Sequence, residues 1–157
     1  MLSQTKFRKV EQEDNGPLAR MIRQVFEEHK APRSGTVYSD PTTDNLFELF
    51  LSPASILHVA VRDQVAIGCC GIYPTPGLDS DCAELVKYYL AREARGIGIG
   101  SRLLQESIQS AKKLGYKKLY LESMPHFSKA GNIALYQGVG QLTMPLGNSG
   151  HTTCNIW

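Results

Sequence analysis

Leu90-Ala91-Arg92-Glu93-Ala94-Arg95-Gly96-Ile97-Gly98-Ile99-Gly100-Ser101-Arg102-Leu103-Leu104 joins an apolar run, residues 84–90, to a helical pattern over residues 101–114. Glycine at every second position (Gly96, Gly98, Gly100) removes the Cβ atoms from one face of the turn. Backbone N–H groups there can approach a ligand that side chains would hold off. The same groups open a helix, where orphan donors and about half a positive charge favour an anion. Strand, glycine turn and helix in this order make a cradle for a phosphate or pyrophosphate.

Two kinds of glycine turn can be weighed directly. A nucleotide-hydrolase loop needs Lys-Ser/Thr after its last glycine, and here Gly100 is followed by Ser101-Arg102, so that reading fails. A dinucleotide turn needs G-x-G-x-x-G at the end of a buried strand, with an acid about 20 residues on. Gly96-x-Gly98-x-x-Ser101 is a near miss, and Glu122 stands near the right place. Against it, polar Arg92-Glu93-Ala94-Arg95 separates strand from turn, whereas a dinucleotide turn follows its strand tightly. A glycine-rich surface turn with no ligand is the plain alternative.

Working outward, residues 5–10 alternate as a short strand. Residues 17–29 carry Leu18, Met21, Ile22, Val25 and Phe26 at helical spacing. Residues 31–39 hold Pro32 and Gly35 and read as a loop. Asp40-Pro41 is a helix start, and residues 45–51 bear a second apolar stripe. Residues 56–62 and 65–73 form a hairpin about Asp63-Gln64. Residues 82–90 are the strand that enters the cradle. After it come a helix with Leu104, Ile108, Ala111 and Leu114 on its buried face and Gly115 as its cap. A strand at 117–122, a short helix at 129–137 and two last strands at 139–146 and 152–157 complete the chain. This order predicts an α/β (α+β) fold with a mixed sheet, as a single domain over residues 1–157.

The charge is nearly balanced, with 17 Lys+Arg against 15 Asp+Glu, so nothing points to nucleic acid. No run of 18 apolar residues suggests a membrane span, and the first six residues lack the apolar segment of a signal peptide. A cytoplasmic location is expected. Cys69, Cys70, Cys82 and Cys154 show no metal spacing, and three lie in apolar strand-like runs. Reduced buried thiols are expected, with no metal and no cysteine nucleophile.

Arg95-Gly96-Ile97-Gly98-Ile99-Gly100 matches Arg/Gln-x-x-Gly-x-Gly/Ala at every fixed position. Ala83-Glu84-Leu85-Val86-Lys87-Tyr88-Tyr89-Leu90 and Asn132-Ile133-Ala134-Leu135-Tyr136 accompany it in order. Together they resemble the GNAT N-acetyltransferases over essentially the whole chain. Residues 35–44 and the Pro145-Leu146-Gly147 segment through Trp157 look like features of a group of small bacterial members. One departure is Gln141, where the family usually carries an aromatic residue after the last helix.

The resemblance implies a mostly antiparallel central sheet of about six to seven strands flanked by about four helices. It also implies acetyl-CoA as cofactor and transfer of its acetyl group to a small-molecule or protein amine by direct attack. The amides of Gly96, Ile97, Gly98, Ile99, Gly100 and Ser101 would hold the pyrophosphate, with Arg95 beside them and Asn132 on the pantetheine arm. The Leu90 N–H would polarise the thioester carbonyl. Glu84 matches the catalytic glutamate of the histone-acetylating branch and would take a proton from the acceptor, an ammonium of pKa about 10.4. Tyr136 would return a proton to the leaving thiolate, its reference pKa of about 10 being suited to that task. Asn132 and Tyr136, four apart, would share one helix face. Tyr38 and His126 are the candidate contacts to the acceptor. A homodimer is the family's usual assembly. The rival readings are a non-catalytic acyl-CoA-binding module and a dinucleotide oxidoreductase.

Overall fold

The computed structural model describes residues 4–121. The helix expected at 129–137 and the two strands after it lie outside them, as do Asn132, Tyr136 and His126. Among the described residues, five strands form one sheet in the order of the chain: β1 (Lys6–Lys9), β2 (Ile56–Arg62), β3 (Val65–Tyr73), β4 (Cys82–Leu90) and β5 (Lys118–Tyr120). The first three pairings are antiparallel, and β4 with β5 is parallel. The β2–β3 connection is as tight as its two residues demand. Asp63 and Gln64 both take positive φ, 51° and 64°, which matches the turn to the twist of the strands.

Helix α1 (Asn15–Glu28) lies on one face of the sheet and buries Leu18, Ala19, Met21, Ile22, Val25 and Phe26. Their spacing gives one apolar stripe. Pro17 falls in the first turn, where its missing N–H costs nothing. The start of α1 is anchored by Asp14, whose carboxylate takes two bonds from Arg8, at 2.7 and 3.0 Å, and one from the Glu11 N–H.

The expected helix start at Asp40 is real, but the helix is split. The Asp40 carboxylate accepts from the Thr42 N–H and caps a 3-10 turn, Pro41–Asp44. Asn45 then leaves helical geometry (φ −136°), and α2 (Leu46–Leu49) follows. The Asn15 side chain accepts from the Phe47 N–H, so α2 begins where α1 fastens it.

Helix α3 (Ile99–Lys113) covers the opposite face, burying Ile99, Leu103, Leu104, Ser107 and Ala111. Its side of the sheet is Ala60, Ile67, Cys70, Ile72, Ala83 and Leu85. Gly115, at φ 92°, ends it in the left-handed conformation that glycine adopts without penalty. Among the described residues, no helix is long and apolar enough to cross a membrane.

Candidate active site

Strand β4 is irregular where it matters. Val86 pairs with Gly71, but Tyr89 pairs with Cys69, so three steps on β4 match two on β3. The extra residue is Lys87, at φ 54°. This is a β-bulge, which inserts one residue and bends the strand. Before it, Ala83 and Leu85 face α3; after it, Tyr88 and Leu90 do. Val86 and Tyr89 face α1, and by alternation Glu84 does too.

Beyond the bulge, the edge of β4 away from β3 has no partner among the described residues. The β4–β5 ladder stops at Glu84 opposite Tyr120, and no described strand pairs with that edge further on. The Ala91 N–H donates to the Ile67 carbonyl of β3 at 2.8 Å. Alternation along an antiparallel pair then turns the Leu90 N–H and C=O away from β3.

The glycine turn begins one polar 3-10 turn later (Arg92–Ala94). Gly96 and Gly98 have φ of 76° and 90°, and a Cβ on either would meet no atom within 4 Å. Gly98 is the N-cap of α3. The first amide after the turn that bonds back to it is Arg102, to the Gly98 carbonyl at 3.1 Å. Among the described residues, no carbonyl accepts from the N–H groups of Gly96, Ile97, Gly98, Ile99, Gly100 or Ser101. Six successive N–H groups without a carbonyl partner thus lie at a helix N-terminus, and two of the glycines among them have no atom where a Cβ would stand. That is what a pyrophosphate requires.

Gly100 differs from its companions. A Cβ there would lie 2.8 Å from Leu90 Cδ1 and 3.0 Å from Tyr88 Oη. The Tyr88 hydroxyl donates to the Gly100 carbonyl at 2.7 Å, and burial holds its pKa well above the usual phenol value. Gly100 therefore lets the first turn of α3 sit on β4, while Gly96 and Gly98 keep the cradle open. Ile99 points into the core, whereas the Ile97 side chain is exposed.

The Arg95 guanidinium is turned inward. Its Nε and Nη2 donate to the Leu90 carbonyl at 3.2 and 3.0 Å, and Nη2 also donates to Glu28 Oε2 at 2.8 Å. It ties the exit of β4 to the end of α1. The expected assistance from the side is thus shared with two protein partners.

Glu84 is 5 % exposed, and its Oε1 accepts from the Thr75 hydroxyl at 2.6 Å. Tyr38 lies on the same side of the sheet, its ring 6.1 Å from Phe26, which is itself 5.8 Å from Tyr89. The Arg33 guanidinium stands 4.7 Å from the Tyr38 ring centroid. The Tyr38 hydroxyl donates to Glu27 Oε1 at 2.9 Å, which raises its pKa. An aromatic row thus runs from the loop after α1 to the bulge.

Sequence reasoning missed Thr75, Tyr88 and Lys87. Thr75 meets Glu84 only through the long connection between β3 and β4, so no local pattern announces it. For Lys87 a signal existed. Glu84 and Lys87 are three apart in a buried strand, a spacing that regular alternation cannot place on one face. Cys69, Cys70 and Cys82 are free and buried. Burial pushes the Cys69 thiol far up and Cys70 to about 12, so neither is a nucleophile.

A strand edge with no described partner, a glycine turn at the head of a helix and a buried carboxylate upstream lie together on a mixed sheet. The model of the acetyltransferase (GNAT) family matches residues 22–140. The chain is 32% identical over 152 residues to the uncharacterized N-acetyltransferase YjgM of Escherichia coli, covering 95% of this chain and 90% of that protein. Its fold is like that of a GNAT-family acetyltransferase from Staphylococcus aureus Mu50 (TM-score 0.83, 18% identity, 98% of this chain and 96% of that one). It is also like that of the PaiA N-acetyltransferase of Thermoplasma acidophilum, solved in complex with coenzyme A (TM-score 0.74, 20% identity, 98% and 96%). The chain belongs to the GNAT acetyltransferase family. The dinucleotide reading of the glycine turn falls with that assignment, as the polar turn before Arg95 already argued.

Proposed function

We propose that this chain is an acetyl-CoA-dependent N-acetyltransferase in which an amine attacks directly, with Glu84 as general base and Tyr136 as general acid. The observation that carries the reading is the pairing, on one strand, of the buried Glu84 carboxylate with an outward Leu90 N–H that leads into the cradle. Acetyl-CoA, when bound, supplies the acetyl group activated as a thioester. The N–H groups of residues 96–101 have no carbonyl partner among the described residues, which fits a pyrophosphate. Beyond Glu84 that edge of β4 has no partner strand among the described residues, and the Leu90 N–H on it is available to an incoming group, the Leu90 carbonyl being held by Arg95.

The chain's own groups divide the work. The Leu90 N–H donates to the oxygen on which negative charge develops, and such a donor is worth about 10²–10³ in rate. Glu84 accepts a proton from the acceptor's ammonium, directly or through one water. Tyr136 donates a proton to the departing sulfur, and Asn132 holds the arm; both assignments rest on the family's last motif. Tyr38 and His126 border the acceptor, an amine whose structure the site residues do not specify. Arg95 keeps the end of β4 and the end of α1 in register.

Thermal stability with coenzyme A, acetyl-CoA and NAD tests the cofactor half. A ligand at 100 times its Kd adds about 2.7 kcal/mol, so coenzyme A should raise Tm and NAD should not. Stabilisation by NAD alone would sink the reading. An amine screen with thiol detection then supplies an acceptor. With it, Tyr136→Phe should lower kcat far more than it weakens cofactor binding; an unchanged kcat removes Tyr136 from the mechanism.

A further inference from the structure

Strand β3 leads towards β4 through Pro74-Thr75-Pro76-Gly77, and this connection holds one side chain still. The Thr75 N–H donates back to the Tyr73 carbonyl at 3.0 Å. That bond closes a three-residue turn about Pro74, whose ring-locked φ of about −65° suits the centre of such a turn. The Leu78 N–H then donates to the Thr75 carbonyl at 3.3 Å, and Gly77 takes φ 92°. Proline second and a left-handed glycine third are the marks of a type II turn. Both backbone groups of Thr75 are thus used, and the proline after it confines its own backbone to extended geometry. Its β-branched side chain is stiff at χ1, and the residue is 7 % exposed.

Tyr73 stands opposite Glu84 in the β3–β4 register, so Thr75, two residues on, falls diagonally across from it. The Thr75 hydroxyl donates to Glu84 Oε1 at 2.6 Å, a length proper to an O–H bond to an ionised carboxylate. Burying a carboxylate is costly unless such bonds are made. A hydroxyl on any loose loop would meet that need. A threonine between two prolines, at the head of a defined turn, does more: it fixes where the carboxylate oxygen sits. The other titratable groups about Glu84 are Tyr73 on β3 and Tyr120 on β5, both in register with or beside it, and Cys82 and Lys87 on β4 itself.

We propose that Thr75 is a positioning residue for Glu84. Its hydroxyl, held by the turn, fixes the orientation of the carboxylate and favours its ionised form. The proposal rests on the reading of Glu84 as base. It gives the β3–β4 connection, which carries none of the cradle residues, a task in the reaction.

The first test needs neither cofactor nor acceptor. Side-chain carboxyl NMR of protein labelled with 13C-glutamate follows Glu84 directly, the signal being assigned by its loss in Glu84→Gln. Thr75→Val keeps the branched shape and removes the hydroxyl, and it should raise the Glu84 midpoint by about one pH unit. Thr75→Ser keeps the hydroxyl and should hold the midpoint where the parent has it. An unmoved midpoint in Thr75→Val overturns the proposal. So does an equal rise in Thr75→Ser, which would assign the shift to packing. If Thr75→Val fails to fold, Thr75→Ala takes its place under the same criteria.

Rate profiles with acetyl-CoA and an amine from the thiol-release screen separate the two readings. Thr75→Val should move the acid limb upward with the midpoint, and Thr75→Ser should restore it. If Glu84→Gln keeps the parent's acid limb, the base assignment fails, whatever Thr75 does. If Glu84→Gln loses that limb and Thr75→Val leaves it unmoved, the Thr75 proposal alone fails.

Discussion

The two faces of the sheet are built to different rules. The α3 face is apolar side chains from strand and helix, and its buried polar groups are each matched. Ser107 donates to the Cys70 carbonyl at 3.2 Å, and His58 Nε2 lies 2.8 Å from Ser110 Oγ. The α1 face has an apolar floor of Leu57, Val59 and Cys69, yet admits the buried Glu84 carboxylate, bonded by Thr75. Burying charge is expensive unless it is paired or used. The contrast teaches that one face holds the glycine turn in place while the other holds the carboxylate proposed to act as base.

That contrast breaks first at Glu84. Glu84→Gln should lower kcat by about 10²–10⁴-fold, the usual worth of a general base, with a small change in Tm. Thiol release against pH measures it. A variant with full activity would show that the buried carboxylate is structural.

Across the sheet the opposite result is expected. Leu103 is fully buried among the α3-face residues. Leu103→Ala should cost about 2–5 kcal/mol of stability, read by urea or thermal unfolding. Activity per folded molecule should stay near the parent's. A kcat loss that exceeds the stability loss would mean that this face shapes the reacting groups directly.

The glycines sharpen the same division within one turn. Gly100→Ala places a Cβ against Leu90 and Tyr88 and should destabilise by about 1–3 kcal/mol, while keeping the Tm rise given by coenzyme A. Gly98→Ala places its Cβ in open space at φ 90°. It should cost about 1–2 kcal/mol and lose much of that Tm rise. Equal losses of the coenzyme A response would erase the distinction between packing glycine and cradle glycine.

Local chemistry made much of this frame legible in the sequence. The bounds of β2, β3 and β4 follow from apolar runs closed by Asp63-Gln64 and by Pro74 and Pro76. Gly115 marks the end of α3, and the Arg95 to Gly100 pattern points to the cradle before any coordinate does. Other features depend on contacts between distant residues. α3 starts at Ile99, ahead of Ser101, because Gly98 caps it and Ile99 packs inward. The helix expected from Asp40 divides because Asn15, thirty-two residues from Phe47, fixes where α2 starts. Thr75 on Glu84, and Arg95 on Glu28, are likewise written only in the packed chain. Tyr88 was readable as a strand aromatic, but not as the donor that seats α3.

The smallest expected effect lies in the buried histidine of the α3 face, and its sign follows from linkage. Burial holds the His58 pKa below its usual value, with Glu106 opposing the shift and Lys9 adding to it. The unfolded chain therefore binds this proton at higher pH than the folded one. Stability from keeping His58 neutral is complete above the unfolded imidazole pKa of about 6.5. It is lost as pH falls below that value towards the lower folded pKa. Unfolding midpoints at pH 7.5 and 5.5 should thus differ in the parent, lower in acid, and differ less in His58→Gln. Glutamine retains a polar group for Ser110 but cannot take up the proton. Identical acid sensitivity in both proteins would assign the pH dependence to carboxylates such as Asp44, whose pKa Arg23 lowers, and would leave the α3 face electrically silent.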